Sequence, residues 1–260
     1  MKTLEKMSLT QYAQNITSII FYIVFAIFTF IQIIHATNAP SKIFYFILLI
    51  LILGIALYSE YLKYLFKQAI YALTFDLDAE KGKRTFEKLL RKDIFHSYKN
   101  DKKIFDTLYY IDQMKFQECL DFIEENSQFF HSSIDQLLIY HYTKFYCSYN
   151  LENYKITKEE YSKLERMKSQ KIKGTKVSPL YNWEFIDSIY LSSKKDYKQS
   201  LNTFKTVNTQ NMNNREKVHY YYQYAMESLK TKDQTQTSKY IHYIKQCNGK
   251  SAICKKGESL

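Results

Sequence analysis

The residues of this chain that could do chemistry are scattered, and their spacing argues against a built reaction centre. Five histidines, His96, His131, His141, His219 and His242, lie in the last two thirds of the sequence. No two of them stand four apart around a glutamate, the pattern that puts two imidazoles and a general base on one helix face for zinc chemistry. His219 and His242 fall on helices expected to face each other, where packing is the expected role. The acidic pairs Glu124-Glu125 and Glu159-Glu160 are sequence neighbours. On a helix such neighbours point about 100° apart, which suits a solvated face rather than a paired acid and base. Gly174, between Lys173 and Lys176, lacks the spacing of a phosphate-cradling loop and its hydroxyl residue after the lysine. Cys119, Cys147, Cys247 and Cys254 form no C-x-x-C pair and read as packing residues. No catalytic, metal or cofactor-binding residue is therefore assigned, no cofactor is expected, and the chain is read as not an enzyme.

The elements that must position anything else begin with two uncharged runs. Ile16 to Ala36 holds 21 residues without a charge, about 30 Å as a helix, enough to cross a bilayer core. Ile43 to Ser59 follows after a short polar turn, with Lys63 placed to reach the interface from just beyond it. The first run is too long for the apolar region of a signal peptide, so an uncleaved hairpin of two transmembrane helices is expected. Lys2 and Lys6 precede it, Lys42 alone sits in the turn, and Lys63, Lys67, Lys81, Lys83 and Arg84 follow. By the rule that Lys and Arg stay inside, both termini face the cytoplasm. Gln32 and His35, near one end of the first run, are expected to serve headgroups or the partner helix rather than transport.

The 260 residues carry 37 Lys and Arg against 26 Asp and Glu, a net charge of +11. Most of that excess lies beyond the hairpin, dispersed and mixed with acids, so anionic lipid headgroups are a possible partner and nucleic acid is not expected. Five glycines and two prolines leave few turns to build with, and the composition asks for helices. Abundant Lys, Asn, Ile and Tyr suggests a gene of low GC content, in keeping with a bacterial plasma-membrane protein.

Past Glu60 the second run continues as an amphipathic stretch, Leu62, Leu65, Phe66, Ala69, Ile70 and Leu73 lining one face. Five segments then share one pattern: a polar turn, a small side chain four residues on, and bulky apolar residues four and seven further on. They are Asp78, Gly82, Phe86, Leu89; Lys115, Cys119, Ile123, with the polar Asn126 at the last position; Asn153, Thr157, Tyr161, Leu164; Asp196, Ser200, Phe204, Val207; and Asp233, Thr237, Ile241, Ile244. The small positions step by 37, 38, 43 and 37 residues, the period of a stacked array of helix hairpins. Aromatic-rich helices are expected ahead of the last four, over Ile104–Ile111, Ile134–Tyr149, Asn182–Leu191 and Glu216–Leu229.

The fourth and fifth units, Lys195-Asp196-Tyr197-Lys198-Gln199-Ser200-Leu201 with Phe204, and Tyr221, Tyr224 and Ala225 followed by Lys232-Asp233, Thr237, Ile241 and Ile244, resemble the tetratricopeptide repeat superfamily. The likeness covers about Leu73 to Gln246. It departs from the family pattern in having Ala225 where the first helix usually has glycine, no proline closing a unit, and an insertion around Lys168–Pro179. The resemblance implies an α-solenoid whose first helices line a groove for a protein or peptide partner, and no chemistry.

The fold class expected is thus all-α, two transmembrane helices followed by a cytoplasmic repeat domain. The divisions are a cytoplasmic segment 1–15, spans 16–36 and 43–59 around an external loop 37–42, a connecting helix 60–75, four to five repeats over 76–246, and a flexible tail 247–260. Helix geometry nominates Tyr190, Tyr222 and Gln223 for groove contacts, tyrosines offering large contact area at small entropic cost. The function expected is a membrane-anchored interaction module. Its alternatives are an accessory subunit of a transport or secretion complex docked through the hairpin, and a peptide-sensing regulator.

Overall fold

The structure, a computed structural model, describes residues 9–168, 171–172, 175–176 and 182–260. Residues 1–8 of the expected amino-terminal segment, with the orienting Lys2 and Lys6, and most of the expected basic loop Lys168–Pro179 lie outside the described residues. The chain divides into two units, Met1–Lys67 and Gln68–Leu260. Both are helical, and the only strands among the described residues are a two-residue antiparallel ladder, β1 (Lys171–Ile172) with β2 (Thr175–Lys176).

In the first unit, α1 (Leu9–His35) is followed after three residues by α2 (Ala39–Thr74). The break is set locally: the Asn38 side chain accepts the Ser41 N–H at 2.9 Å, and Pro40 sits in the first turn of α2, where its missing N–H costs nothing. The expected external loop 37–42 is therefore shorter, because its second half is already helix. Among the described residues α2 alone is long and apolar enough to cross a membrane, its most apolar 18-residue stretch having a mean hydropathy of 2.3; the apolar part of α1, Tyr22–His35, is shorter. Nor does α2 end at Ser59. It runs on to Thr74, so the expected second span and connecting helix are one element.

The second unit is a chain of helix hairpins. Its elements are the last turns of α2, then α3 (Ala79–Lys92), α4 (Lys99–Asp112), α5 (Phe116–Glu125), the single turn α6 (Ser127–Phe130), α7 (Ile134–Asn150), α8 (Tyr154–Lys168), α9 (Trp183–Ser193), α10 (Tyr197–Phe204), α11 (Asn214–Lys230), α12 (Gln234–Cys247) and α13 (Ala252–Glu258). Each helix packs on the next, most extensively α7 with α8, α9 with α10 and α11 with α12.

One turn design recurs at every hairpin. Leu77, Met114, Glu152, Lys195 and Lys232 all adopt left-handed backbone, φ 53° to 64°. In four of the five, the next N–H reaches back five residues to a helical carbonyl: Lys115 to Tyr110, Asn153 to Ser148, Asp196 to Leu191 and Asp233 to Ser228, each at 2.9 to 3.1 Å. This closure satisfies carbonyls that a helix end leaves orphaned. The polar residue then caps the helix that follows, Asp78, Asn153, Asp196 and Asp233 each accepting the N–H three residues on.

Five residues beyond each left-handed residue stands the small one, where the two helices cross. A Cβ on Gly82 would lie 3.1 Å from the Ala69 carbonyl oxygen. Ser200 donates to the Ser188 carbonyl at 2.8 Å, and the Cys119 thiol points at the Thr107 carbonyl at 3.7 Å. Backbones this close admit no larger side chain. The bulky residues one and two turns on, Phe86, Leu89, Ile123, Leu164, Phe204 and Ile244, are fully buried, each worth about 1.5–3 kcal/mol of apolar transfer.

The array also closes on itself. The N–H groups of Lys250 and Ser251 both donate to the Leu77 carbonyl, at 3.0 and 2.9 Å, and the Asn214 amide donates to the Phe75 carbonyl at 2.9 Å. Leu77 packs with Val218, Tyr222, Ile244, Ile253 and Cys254 in one cluster. The expected flexible tail 247–260 is thereby corrected: left-handed Asn248 ends α12, and α13 buries Ile253, Cys254 and Gly257. A Cβ on Gly257 would lie 2.7 Å from Ile244 Cδ1, so any larger residue in this seat displaces the buried Ile244 side chain.

Two substitutions test the repeated turn in opposite directions. Ser200→Leu overpacks the α9–α10 crossing and should cost about 1–3 kcal/mol, whereas Lys232→Gly relieves left-handed strain and should stabilise by about 0.5–1 kcal/mol. Urea unfolding followed by circular dichroism reads both, and the turn account fails if the two shifts share a sign.

Candidate functional site

α11 carries a polar stripe at helical spacing, Arg215, His219, Gln223 and Glu227, all buried. At four-residue intervals these side chains share one face, and that face meets polar groups from α4, α7 and α9. Arg215 clasps Asp112 of α4 in a fork, Nε to Oδ2 and Nη2 to Oδ1, both at 2.8 Å. His219 Nε2 lies 2.8 Å from Asp112 Oδ1, and its Nδ1 lies 3.1 Å from the Tyr146 hydroxyl on α7. Gln223 Nε2 donates to the Tyr146 hydroxyl at 3.0 Å and to Asn150 Oδ1 at 3.3 Å.

The donors and acceptors order themselves. A neutral His219 protonated on Nε2 donates to Asp112 and accepts from Tyr146, which in turn accepts from Gln223. Burial, reinforced by the Arg215 charge and opposed by Asp112, holds the His219 pKa below its ordinary value, in agreement with the neutral ring. Burial raises the Asp112 carboxyl, but the Arg215 guanidinium and the His219 hydrogen bond outweigh it and leave that pKa lowered.

A second cluster continues the stripe. Glu227 Oε1 accepts from the Ser192 hydroxyl at 2.6 Å, from Lys230 at 2.8 Å and from the Tyr149 hydroxyl at 3.0 Å. On the other side of α7, His141 Nδ1 and Lys163 both bond Glu160, at 2.6 and 2.8 Å. Glu160 is buried, so the reading of Glu159-Glu160 as a solvated face holds no further than Glu159; the α7–α8 crossing draws its neighbour inside. His219 and His242 do not meet, His242 being exposed and bonded to Gln246 at 3.0 Å. Among the described residues no group of three His, Cys, Asp or Glu is placed to hold a metal ion.

These networks fill the face that an open solenoid would offer to a ligand. Tyr222, nominated for groove contact, is packed in the cluster with Leu77, and Gln223 is spent on Tyr146 and Asn150. Both are buried because α11 is covered by α12 and α13 on one side and met by α4, α7 and α9 on the other. Tyr190 is placed differently, in an open notch of about 490 Å³ lined by α8, α9 and Thr203 of α10. Its ring stacks on Tyr161 with centroids 3.7 Å apart and planes 9° from parallel. Lys194 Nζ sits 4.2 Å over the Tyr190 ring, and Tyr161 donates to Asp187 Oδ1 at 2.9 Å. Burial first, then the Asp187 charge, pushes the Tyr161 pKa up. The notch is thus walled by a fixed ring pair, Tyr190 held between Tyr161 and the Lys194 ammonium, with the carboxylates Asp187 and Glu165 beside it.

No protein-family model, no curated protein and no solved structure matches this chain.

The stripe sets a pH dependence. For His219, whose folded pKa lies below the ordinary value of about 6.5, the unfolded chain takes up a proton that the folded chain refuses, so stability falls as pH drops below that value. For Asp112, also lowered, a further loss comes below about pH 4. Urea midpoints should therefore decline from pH 7 to 5, and His219→Gln should flatten that part of the profile while leaving the more acidic limb.

Proposed function

We propose that this chain is a membrane-anchored, tetratricopeptide-like helical-repeat protein that binds another protein or peptide at the cytoplasmic face of a bacterial membrane. The observation that carries the reading is the Tyr161–Tyr190 notch, a solvent-open site where a rigid stacked ring pair stands among charges of both signs. Stacked rings held by Asp187 and Lys194 lose little freedom on binding, and such aromatic anchors are where interfaces concentrate their energy.

The repeat assignment is supported by the common turn, the small residue five positions after it and at least one buried apolar side chain one or two turns beyond. Membrane anchoring is supported by α2 and by its exposed apolar side chains, among them Ile47, Ile50 and Leu51 at 55 to 57% exposure. Surfaces of that kind are stable only when lipid or protein covers them. We place α1 across the bilayer as well, with both termini cytoplasmic, on the balance of Lys and Arg around the two helices.

A photocrosslinking residue at Leu191, on the rim of the notch, tests the reading in native membranes of the source cell. A discrete adduct should form from Leu191 and not from Leu151, an exposed position at another turn. Adding Tyr190→Ala should reduce that adduct at least about tenfold, as loss of a hot-spot aromatic does, with the melting temperature held within a few degrees. Adducts from a residue in α2 such as Leu51, with none from Leu191, would make the hairpin the docking surface instead.

A further inference from the structure

Among the described residues outside the first unit, the two large apolar side chains most open to solvent are adjacent. Ile94 and Phe95 are 75% and 73% exposed, while Tyr71, Ile134, Leu151, Tyr154 and Leu229 reach only 39 to 44%. They occupy the turn between α3 and α4, and that turn is built to hold them out. Asp93 is buried; its N–H bonds the Leu89 carbonyl at 2.9 Å, and its carboxylate accepts the Tyr98 N–H at 2.8 Å. His96 takes a left-handed conformation, φ 54°, and its N–H returns to the Asp93 carbonyl at 3.2 Å. The backbone is thus pinned at both ends of the apolar pair, and the display is a property of the fold.

The surroundings are cationic. Lys88, Arg91, Lys92 and Lys99 are all exposed, Asp93 is turned inward, and the flanking acids Glu87 and Asp101 are half-buried. An apolar tip within a basic rim matches the layering of an anionic membrane surface, with headgroup phosphates outside and acyl chains beneath. A protein partner would need an apolar socket ringed by acids, whereas the bilayer that anchors this chain supplies both layers unaided.

We infer that the α3–α4 turn is a second membrane contact, in which Ile94 and Phe95 enter the acyl boundary and Arg91, Lys92 and Lys99 bind anionic headgroups. The inference rests on the membrane-anchored reading above. It assigns the repeat domain a lipid-bound orientation in addition to its tether.

Tryptophan placed at the tip reports it. In the full chain carrying Trp183→Phe, Phe95→Trp and, separately, Leu51→Trp are reconstituted into vesicles of phosphatidylcholine with about one third phosphatidylglycerol, with and without brominated acyl chains. The proposal expects Phe95→Trp to be quenched by the bromolipid about half as strongly as Leu51→Trp, in keeping with burial at the acyl boundary rather than the bilayer centre. It also expects that quenching to fall at least about twofold when phosphatidylglycerol is omitted or when Arg91→Gln and Lys92→Gln are added, with Leu51→Trp unchanged. Phe95→Trp unquenched beside a quenched Leu51→Trp overturns the second contact and leaves the anchor standing. Quenching at Phe95→Trp that ignores both charge changes overturns the headgroup assignment. If Leu51→Trp is itself unquenched, the membrane reading falls and the inference falls with it.

Discussion

The second unit depends on one buried carboxylate. Asp112 ends α4 with almost no exposure, and its two oxygens are taken by Arg215 and His219, 103 and 107 residues further along the chain. A carboxylate out of water is costly unless a cation and hydrogen bonds satisfy it, and here they do. Removing either partner would strand the other charge, so the interaction specifies a single pairing of α4 with α11. Around it the remaining closures line up: Leu77 receives the N–H groups of Lys250 and Ser251, and Tyr146 links His219 to Gln223. The recurring turns make local hairpins, and this carboxylate joins α11 of the last hairpin to α4 of an earlier one.

The consequence for function is a change in which surface is available. A stacked array of helix pairs ordinarily leaves its first helices facing a groove. In this chain that face is spent on hydrogen bonds among α4, α7, α9 and α11, and the ring-lined notch at Tyr161 and Tyr190 lies outside it. In the proposed reading a partner meets the rigid stacked ring pair and its flanking charges rather than threading a channel. Such a surface suits docking of a folded edge or a short segment, and its cost in ordering is small because the rings are already fixed.

The helices and their crossings were legible because they depend on nearby residues. The small positions Gly82, Cys119, Thr157, Ser200 and Thr237 could be read from spacing alone, since a backbone crossing forbids bulk wherever it occurs. The left-handed turns were not, because Met114, Glu152, Lys195 and Lys232 stand where glycine would have announced them. Closure was beyond reach for a different reason: the meeting of Asp112 with Arg215 is a long-range event with no local signature. The four-residue spacing of Arg215, His219, Gln223 and Glu227 was visible, yet it was masked by the tyrosines between them. A groove role for Tyr222 and Gln223 presumes a free face on α11, and the expectation of a flexible tail follows from polar lysines that hide Ile253 and Cys254.

Hydrogen exchange with mass spectrometry on the full chain, comparing the parent with Asp112→Asn, addresses the central claim most directly. If the carboxylate joins α4 to α11, the variant should lose amide protection in α11 and α13 and also in α4 and the Phe75–Leu77 turn, as one cooperative step. Loss confined to α4, with α11, α13 and the turn as protected as in the parent, would contradict the account and make Asp112 a local cap.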